Sequence, residues 1–247
     1  MLRVKEWLDV RNYRKAVELI GTGSPRILDV GGGVGEVSSL FVRQGTGATA
    51  LVVDPDERSI EVARSRGVEG FAGTMEEFDT DERFDLVLML NLIEHVADPV
   101  AVMARAAELL DDGGLIWLQT PNFRALDGRL FRHRNWAGYH CPRHWAIFGE
   151  AGLARALSRA GLDAVSFERT QGGGFWAQSL LGLRRARLMS RGVVPPGDPA
   201  GETERLPKPL VRYRAFAPLA AAGSAFDLGT RRFRQVSQVV VMARRSP

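Results

Sequence analysis

The chain has one cysteine, Cys141, among its 247 residues. No disulfide can close within it, and a reducing compartment is the expectation. Its only lysines are Lys5, Lys15 and Lys208, so its cationic surface is almost wholly arginine. Long apolar runs are scarce as well: Ala215 to Phe226 is uncharged but broken by Pro218, and it falls short of the roughly 20 apolar residues a bilayer span requires. No secretory pattern opens the chain, because Arg3, Lys5, Glu6, Asp9, Arg11 and Glu18 interleave with apolar residues at helical spacing as far as Ile20. These features predict a cytoplasmic protein with an amphipathic helix over residues 1–22. With 45% apolar and 25% charged residues, the remainder is ordinary for a soluble protein with one substantial core.

What the chain does have is a dense glycine turn. Ile27-Leu28-Asp29-Val30 is an apolar strand ending in Gly31-Gly32-Gly33-Val34-Gly35, and a second strand, Leu51-Val52-Val53-Asp54, again ends in an acid. This is the nucleotide end of a doubly wound sheet. A dinucleotide fold places a third glycine where the pyrophosphate meets the helix N-terminus, and here that position is Glu36. Nicotinamide-dependent reduction is therefore disfavoured. The alternation Asp29, Gly31, Gly33, Gly35 suits a ligand without phosphate, pressed against bare backbone.

Later segments extend the pattern. Phe84 to Asn91 is an apolar run of the kind buried on both faces, followed by Leu92-Ile93-Glu94-His95-Val96, Asp98-Pro99 and a helix from Val100 to Leu110. A turn at Asp111-Asp112-Gly113-Gly114 leads to the strand Leu115 to Asn122. Phe148 to Gly161 reads as a helix, Ala164 to Arg169 as a strand, and Gln238 to Ala243 as a closing strand.

Taken together, these motifs resemble the class I S-adenosylmethionine (SAM) dependent methyltransferases. The resemblance implies an α/β, Rossmann-like, doubly wound seven-stranded sheet, mostly parallel with the last strand antiparallel, and a helical insertion before that strand. It spans residues 23–170 and 236–247, with residues 171–235 as a helical lid. It implies SAM as cofactor and S-adenosylhomocysteine (SAH) as product. Asp29, Gly31, Gly33 and Gly35 would surround the amino acid end and Asp54 the ribose hydroxyls, where a carboxylate accepts two hydrogen bonds from a vicinal diol. Thr74 and Met75 match the adenine position, although Thr74 also reads as the cap of a helix from Met75 to Phe78. Asn91 falls where the fourth strand meets the methyl-transfer point, or caps the turn after it.

The net charge of +4 is concentrated in the insertion. Residues 171–235 carry eleven arginines and lysines against four acids, a net +7, which leaves the rest of the chain at −3. Phe175 to Ser190 and Leu210 to Leu228 read as helices, joined through a proline-rich linker at residues 192–199. The arginines are either a solvated face or the contact for an anionic membrane surface, an acidic acceptor or a lipid-linked substrate. Nucleic acid is disfavoured, since no row of aromatics interleaves them. A methyltransferase-like adaptor, working through this basic segment without catalysis, is the alternative function. The oligomeric state is not legible.

All four histidines fall between residues 95 and 144. His133, His140 and His144 share one loop with Trp136, Tyr139, Cys141, Pro142 and Arg143, and Trp136, Pro142-Arg143-His144 and Phe148 match a segment of one broad branch of the family, often associated with small molecules or cell-surface glycans. An acceptor hydroxyl must lose its proton, and histidine titrates in the right range. His144 and His140, then His95, are the candidates to act as base or to orient the acceptor; the other reading is a hydrogen bond that fixes the loop. Trp136, Tyr139 and Arg143 are the candidate acceptor contacts, with Arg143 either clamping an acidic group or pairing within the loop. A zinc set of His133, His140, Cys141 and His144 is disfavoured because adjacent His140 and Cys141 suit one tetrahedral ion poorly. The expectation is a small-molecule methyltransferase with oxygen the favoured acceptor atom, then nitrogen or carbon, and no metal.

Overall fold

The structure is a computed structural model and describes residues 2–44, 47–133, 136–140, 142–170, 172–191, 210–230 and 236–246. Cys141 and the proline-rich stretch 192–199 lie outside the described residues. The elements in chain order are α1 (Leu2–Ile20), β1 (Arg26–Val30), α2 (Glu36–Val42), β2 (Thr49–Asp54), α3 (Glu57–Ser65), β3 (Glu69–Ala72), β4 (Phe84–Leu90), α4 (Pro99–Glu108), β5 (Leu110–Pro121), α5 (Leu126–Phe131), a short 3-10 turn (Ala137–Tyr139), α6 (Glu150–Arg159), β6 (Leu162–Thr170), α7 (Gly173–Ser190), α8 (Leu210–Thr230) and β7 (Gln238–Arg245). The seven strands form one sheet in the order β3-β2-β1-β4-β5-β7-β6, with the last strand antiparallel, as expected.

The chain divides into two compact units. The first comprises residues 1–120, 148–168 and 239–247. Its centre is β1 and β4, paired in parallel through Ile27↔Leu86, Leu28↔Val87 and Asp29↔Leu88. Both strands are covered on both faces, which is why their sequences are continuous apolar runs. On one face Tyr13 of α1 stacks on Phe41 of α2 at 4.3 Å, and Phe41 on Trp117 of β5 at 5.7 Å. The N-terminal helix thus packs on the sheet through a buried tyrosine, while Lys15 pairs with Glu168 of β6 and Arg244 donates to the Leu19 carbonyl. Asp98 caps α4 as its sequence predicts, accepting from the N–H groups of Val100 and Ala101 at 3.0 Å ahead of Pro99.

Two local expectations are corrected. Residues Asp111 to Gly114 do not break the fifth strand but lie within it. The register runs Phe84↔Leu110 and then Leu86↔Leu115, so these four residues bulge out of a ladder that continues on either side. Arg26 and Arg245 hold the bulge through Asp111 and Asp112. Residues 75–78 form a single turn instead of a helix, closed by the Glu77 and Phe78 N–H groups donating to the Thr74 carbonyl. There the capping runs the other way, with the Glu77 carboxylate accepting the Thr74 N–H at 2.8 Å.

The second unit comprises residues 121–147 and 169–238, so the histidine loop clusters with the insertion helices and not with the sheet. Helices α7 and α8 approach closely: a Cβ on Gly173 would lie 2.0 Å from the Ala220 carbonyl, and one on Gly223 would lie 2.6 Å from Trp176 Cβ. Asn122 ties the start of the unit to its end, its backbone N–H donating to the Ser237 carbonyl and its side chain to that of Val236. Among the described residues no helix is long and apolar enough to cross a membrane. Leu180, Arg184, Arg187 and Arg191 are exposed and follow helical spacing from α7 into the residue after it, so this part of the basic segment is one stripe.

Candidate active site

In the first unit, the turn after β1 brings together three glycines in the left-handed region, Gly31, Gly33 and Gly35, with φ of 69°, 53° and 63°. They do different work. Gly35 is buried, and a Cβ there would meet Ala63 Cβ at 3.2 Å and Val52 Cγ2 at 3.4 Å, so its bareness lets α2 pack on the sheet and against α3. A Cβ on Gly33 would meet nothing nearer than the Asp54 Oδ2 atom at 4.0 Å. Bare backbone therefore faces open space beside a carboxylate, a cradle that a side chain would fill. Behind it, Asp29 is buried, and the missing side chain of Gly32 leaves room for its carboxylate, which would lie 2.5 Å from a Cβ there. Gly32 was not among the residues singled out from sequence; its signal was the unbroken run of three glycines.

Asp54 is fixed at the exit of β2. Its Oδ2 accepts the Gly33 N–H at 2.9 Å and its Oδ1 the Asp56 N–H at 3.0 Å. Each oxygen keeps lone-pair capacity, so the carboxylate is oriented without being used up. The Gly73 N–H donates to the Asp54 carbonyl at 3.0 Å, which draws the Thr74–Met75 turn to the same edge, with Met75 buried. The residues present fit SAM: an acid aimed by backbone donors for the ribose diol, and side-chain-free backbone for the amino acid end.

At the exit of β4, Asn91 also adopts a left-handed conformation, φ 55°, and its N–H donates to the Gln119 carbonyl at 2.8 Å. The next turn is closed by the His95 N–H on the Leu92 carbonyl. It holds a residue that sequence reasoning passed over, Glu94. Only 1% of Glu94 is exposed, and its carboxyl accepts the Thr120 hydroxyl at 2.9 Å. Burial pushes this carboxyl up to about 7 against the opposing pull of its hydrogen bonds. The available signal was a carboxylate set between Ile93 and Val96 directly after a buried strand.

In the second unit the loop residues are ordered by their own bonds. Trp136 is buried, and its indole N–H donates to Asp127 at 2.9 Å; Tyr139 packs edge-on against it at 5.2 Å and donates its hydroxyl to the Arg132 carbonyl. His140 stands at φ 34° and meets His144 ring to ring at 5.2 Å, T-shaped. The Arg143 N–H donates to the His140 carbonyl, and its side chain is exposed. His144 Nδ1 lies 2.7 Å from the Gly138 carbonyl oxygen. A carbonyl only accepts, so Nδ1 carries the hydrogen and Nε2 is the ring nitrogen with a basic lone pair.

Two buried acids, Asp127 and Asp227, underlie this loop. Asp227 accepts the Trp176 indole N–H at 3.0 Å and the Gly172 N–H at 2.8 Å. Burial raises the Asp127 carboxyl, the Trp136 hydrogen bond opposes that, and the charge of Asp227 adds to it. A carboxyl raised above its ordinary 3.8 is favoured by the fold in its protonated form, so stability is lost as pH rises from that value through the folded one. Asp127→Asn keeps an acceptor for Trp136 without a charge. Its urea midpoint is expected to gain on wild type between pH 4 and pH 7; a gap that stays constant or narrows contradicts this account.

A family model described as a methyltransferase domain matches residues 5–166. Two relatives, each named ubiquinone biosynthesis O-methyltransferase, come from Bradyrhizobium sp. (strain ORS 278) and Rhizobium leguminosarum bv. trifolii (strain WSM2304). The first is 34% identical over 152 residues, 59% of this chain and 53% of that protein; the second is 38% identical over 150 residues, 56% and 59%. The chain spans about half the length of the curated relatives it matches. Among solved structures, the 1,6-didemethyltoxoflavin-N1-methyltransferase of Burkholderia thailandensis, bound to its namesake ligand and SAH, aligns with a TM-score of 0.55 at 19% identity, covering 95% of this chain and 76% of that one. The cyclase SpnF aligns at 0.59 and 18%, covering 96% and 80%. At such identities these structures share the fold alone.

Proposed function

Because this chain belongs to the class I SAM-dependent methyltransferases, we propose that it moves the methyl group of SAM to a hydroxyl of a small organic acceptor. The observation that carries the donor assignment is the bare backbone of Gly33 beside the oriented carboxylate of Asp54. SAM, when bound, supplies a methyl group on a sulfonium already activated for in-line displacement. The protein's own residues then have to bind, orient and account for one proton. Asp54 holds the ribose hydroxyls, Asp29 and the glycine turn the amino acid end, Thr74 and Met75 the adenine, and Asn91 flanks the reacting carbon.

The O-methylation named for the relatives supports oxygen as the acceptor atom. The acceptor is held by residues 121–147 with α7 and α8, which belong to one compact unit. There His144, with Nδ1–H fixed on a carbonyl, turns a basic Nε2 to the acceptor hydroxyl and orients it, and His140 packs against that ring. His95 follows β4 and shares the turn of Glu94. Tyr139 and the exposed Arg143 give the loop one phenol and one cation for the acceptor's polar groups, while Trp136 shapes the pocket from beneath.

The test is to incubate the protein with methyl-labelled SAM and an extract of its source cell and to search by mass spectrometry for a labelled product one CH2 heavier than its precursor. With that product as the assay, His144→Ala is expected to lower turnover about tenfold to hundredfold, the scale of a misoriented reactant, with SAM affinity unchanged. Unchanged turnover assigns His144 to the loop's own architecture.

A further inference from the structure

Strand β4 lies at the centre of the sheet between β1 and β5, and the turn that follows it borders the glycine turn. A Cβ on Gly31 would fall 2.7 Å from Leu92 Cδ1, so the two turns touch. Two residues beyond Leu92 stands the buried Glu94. One of its oxygens is held by Thr120 from the end of β5, while the other, Oε1, has no hydrogen-bond partner among the described residues. Within the first unit the other titratable groups at this edge are Asp29 and Asp54, at the exits of β1 and β2, Asp98, and His95, a ring nitrogen of which lies within 4.8 Å of a Glu94 carboxylate oxygen. The causes acting on the Glu94 carboxyl are burial first, then its own backbone hydrogen bond and Thr120, with no neighbouring charge among them. A buried carboxyl with one oxygen unanswered suits a cation that comes and goes.

We propose that Glu94 is the counter-charge of the methyl donor's sulfonium, ionised while that cation is bound and protonated once the neutral thioether is left. This rests on the SAM reading above. In the transfer, the carbon–sulfur bond breaks with its electron pair going to sulfur. The acceptor oxygen forms the new carbon–oxygen bond with a lone pair, and its proton is lost to water. Once the sulfonium is gone the Glu94 carboxylate takes up a proton from water, so a cation and a carboxylate are replaced by a thioether and a carboxylic acid and these groups carry no net charge before or after. The donor is thereby favoured over its product by a charge that the product lacks.

The test needs no acceptor. SAM and SAH are titrated into the protein by calorimetry near pH 7, where burial places the carboxyl, each in two buffers of different protonation enthalpy. A cation within a few ångströms lowers a carboxyl by a unit or more, so roughly 0.4 proton is released per SAM bound and almost none per SAH. Glu94→Gln preserves the side-chain shape and an acceptor for Thr120. It is expected to abolish the release and to weaken SAM about tenfold relative to SAH, the equivalent of one unit of coupling. Binding of SAM with no proton released, or with the same release in Glu94→Gln, overturns the proposal and leaves the donor assignment standing. Failure of the wild type to bind either ligand overturns the donor assignment, and this proposal with it.

Discussion

Gly33→Val is expected to reduce SAM and SAH affinity by at least a hundredfold, about 3 kcal/mol, with NAD giving no comparable response in variant or wild type. Two effects coincide at this position. The backbone stands at φ 53°, where a β-branched residue is strained by about 1–3 kcal/mol. The new side chain would also occupy the open space beside Asp54 that a ligand needs. Strain alone would destabilise the fold without discriminating between ligand and no ligand; loss of the space removes binding from every folded molecule. Gly35→Ala separates the two effects, since its Cβ would press on Ala63 and Val52 inside the protein. That variant should melt earlier and still bind in proportion to its folded fraction. Asp54→Ala should match Gly33→Val in binding, because hydrogen bonds to a charged group are worth about 1.5–3 kcal/mol each and the diol would lose two. Wild-type affinity in Gly33→Val would remove the cofactor from this turn.

The glycine turn, the buried strands and the family were legible because the sequence encodes each directly. Left-handed backbone asks for glycine, a strand buried on both faces asks for a continuous apolar run, and Asp98-Pro99 is a helix start in its own right. The difference between Gly33 and Gly35 was not legible. Both take positive φ, and only the packing of α2 and α3 decides which hydrogen faces solvent and which faces Ala63. Residues 111–114 have turn chemistry, and the ladder between β4 and β5 overrides it by pairing on both sides of them. The position of Glu94 right after a buried strand was a local signal, but the Thr120 bond that holds its carboxyl comes from a residue 26 positions away. The grouping of residues 121–147 with α7 and α8 likewise depends on contacts far apart in sequence, such as Asn122 with Val236 and Ser237.

Trp117→Ala is expected to carry the largest stability loss, about 3–5 kcal/mol, which in a chain of this size lowers Tm by roughly 6–20 °C. Trp117 is fully buried and is the sheet end of an aromatic column that continues through Phe41 to Tyr13, so truncation opens a void facing α2 and loosens the seat of α1. Trp117→Phe discriminates between the causes. The indole Nε1 has no hydrogen-bond partner among the described residues, so the wild type already bears the cost of a buried, unanswered donor. Phenylalanine removes that donor while retaining a ring against Phe41, and the relief of about 1–3 kcal/mol offsets much of the lost volume. The Phe variant should therefore unfold within about 1.5 kcal/mol of wild type, the usual limit for a tolerated apolar exchange. A Phe variant as unstable as Ala would show that the indole is held by its N–H and not by packing. Trp117 is three residues from Thr120, so SAM affinity measured well below the lowered Tm provides a second readout: it should stay at the wild-type value as long as β5 keeps its pairing with β4 through Leu88↔Trp117 and Leu90↔Gln119.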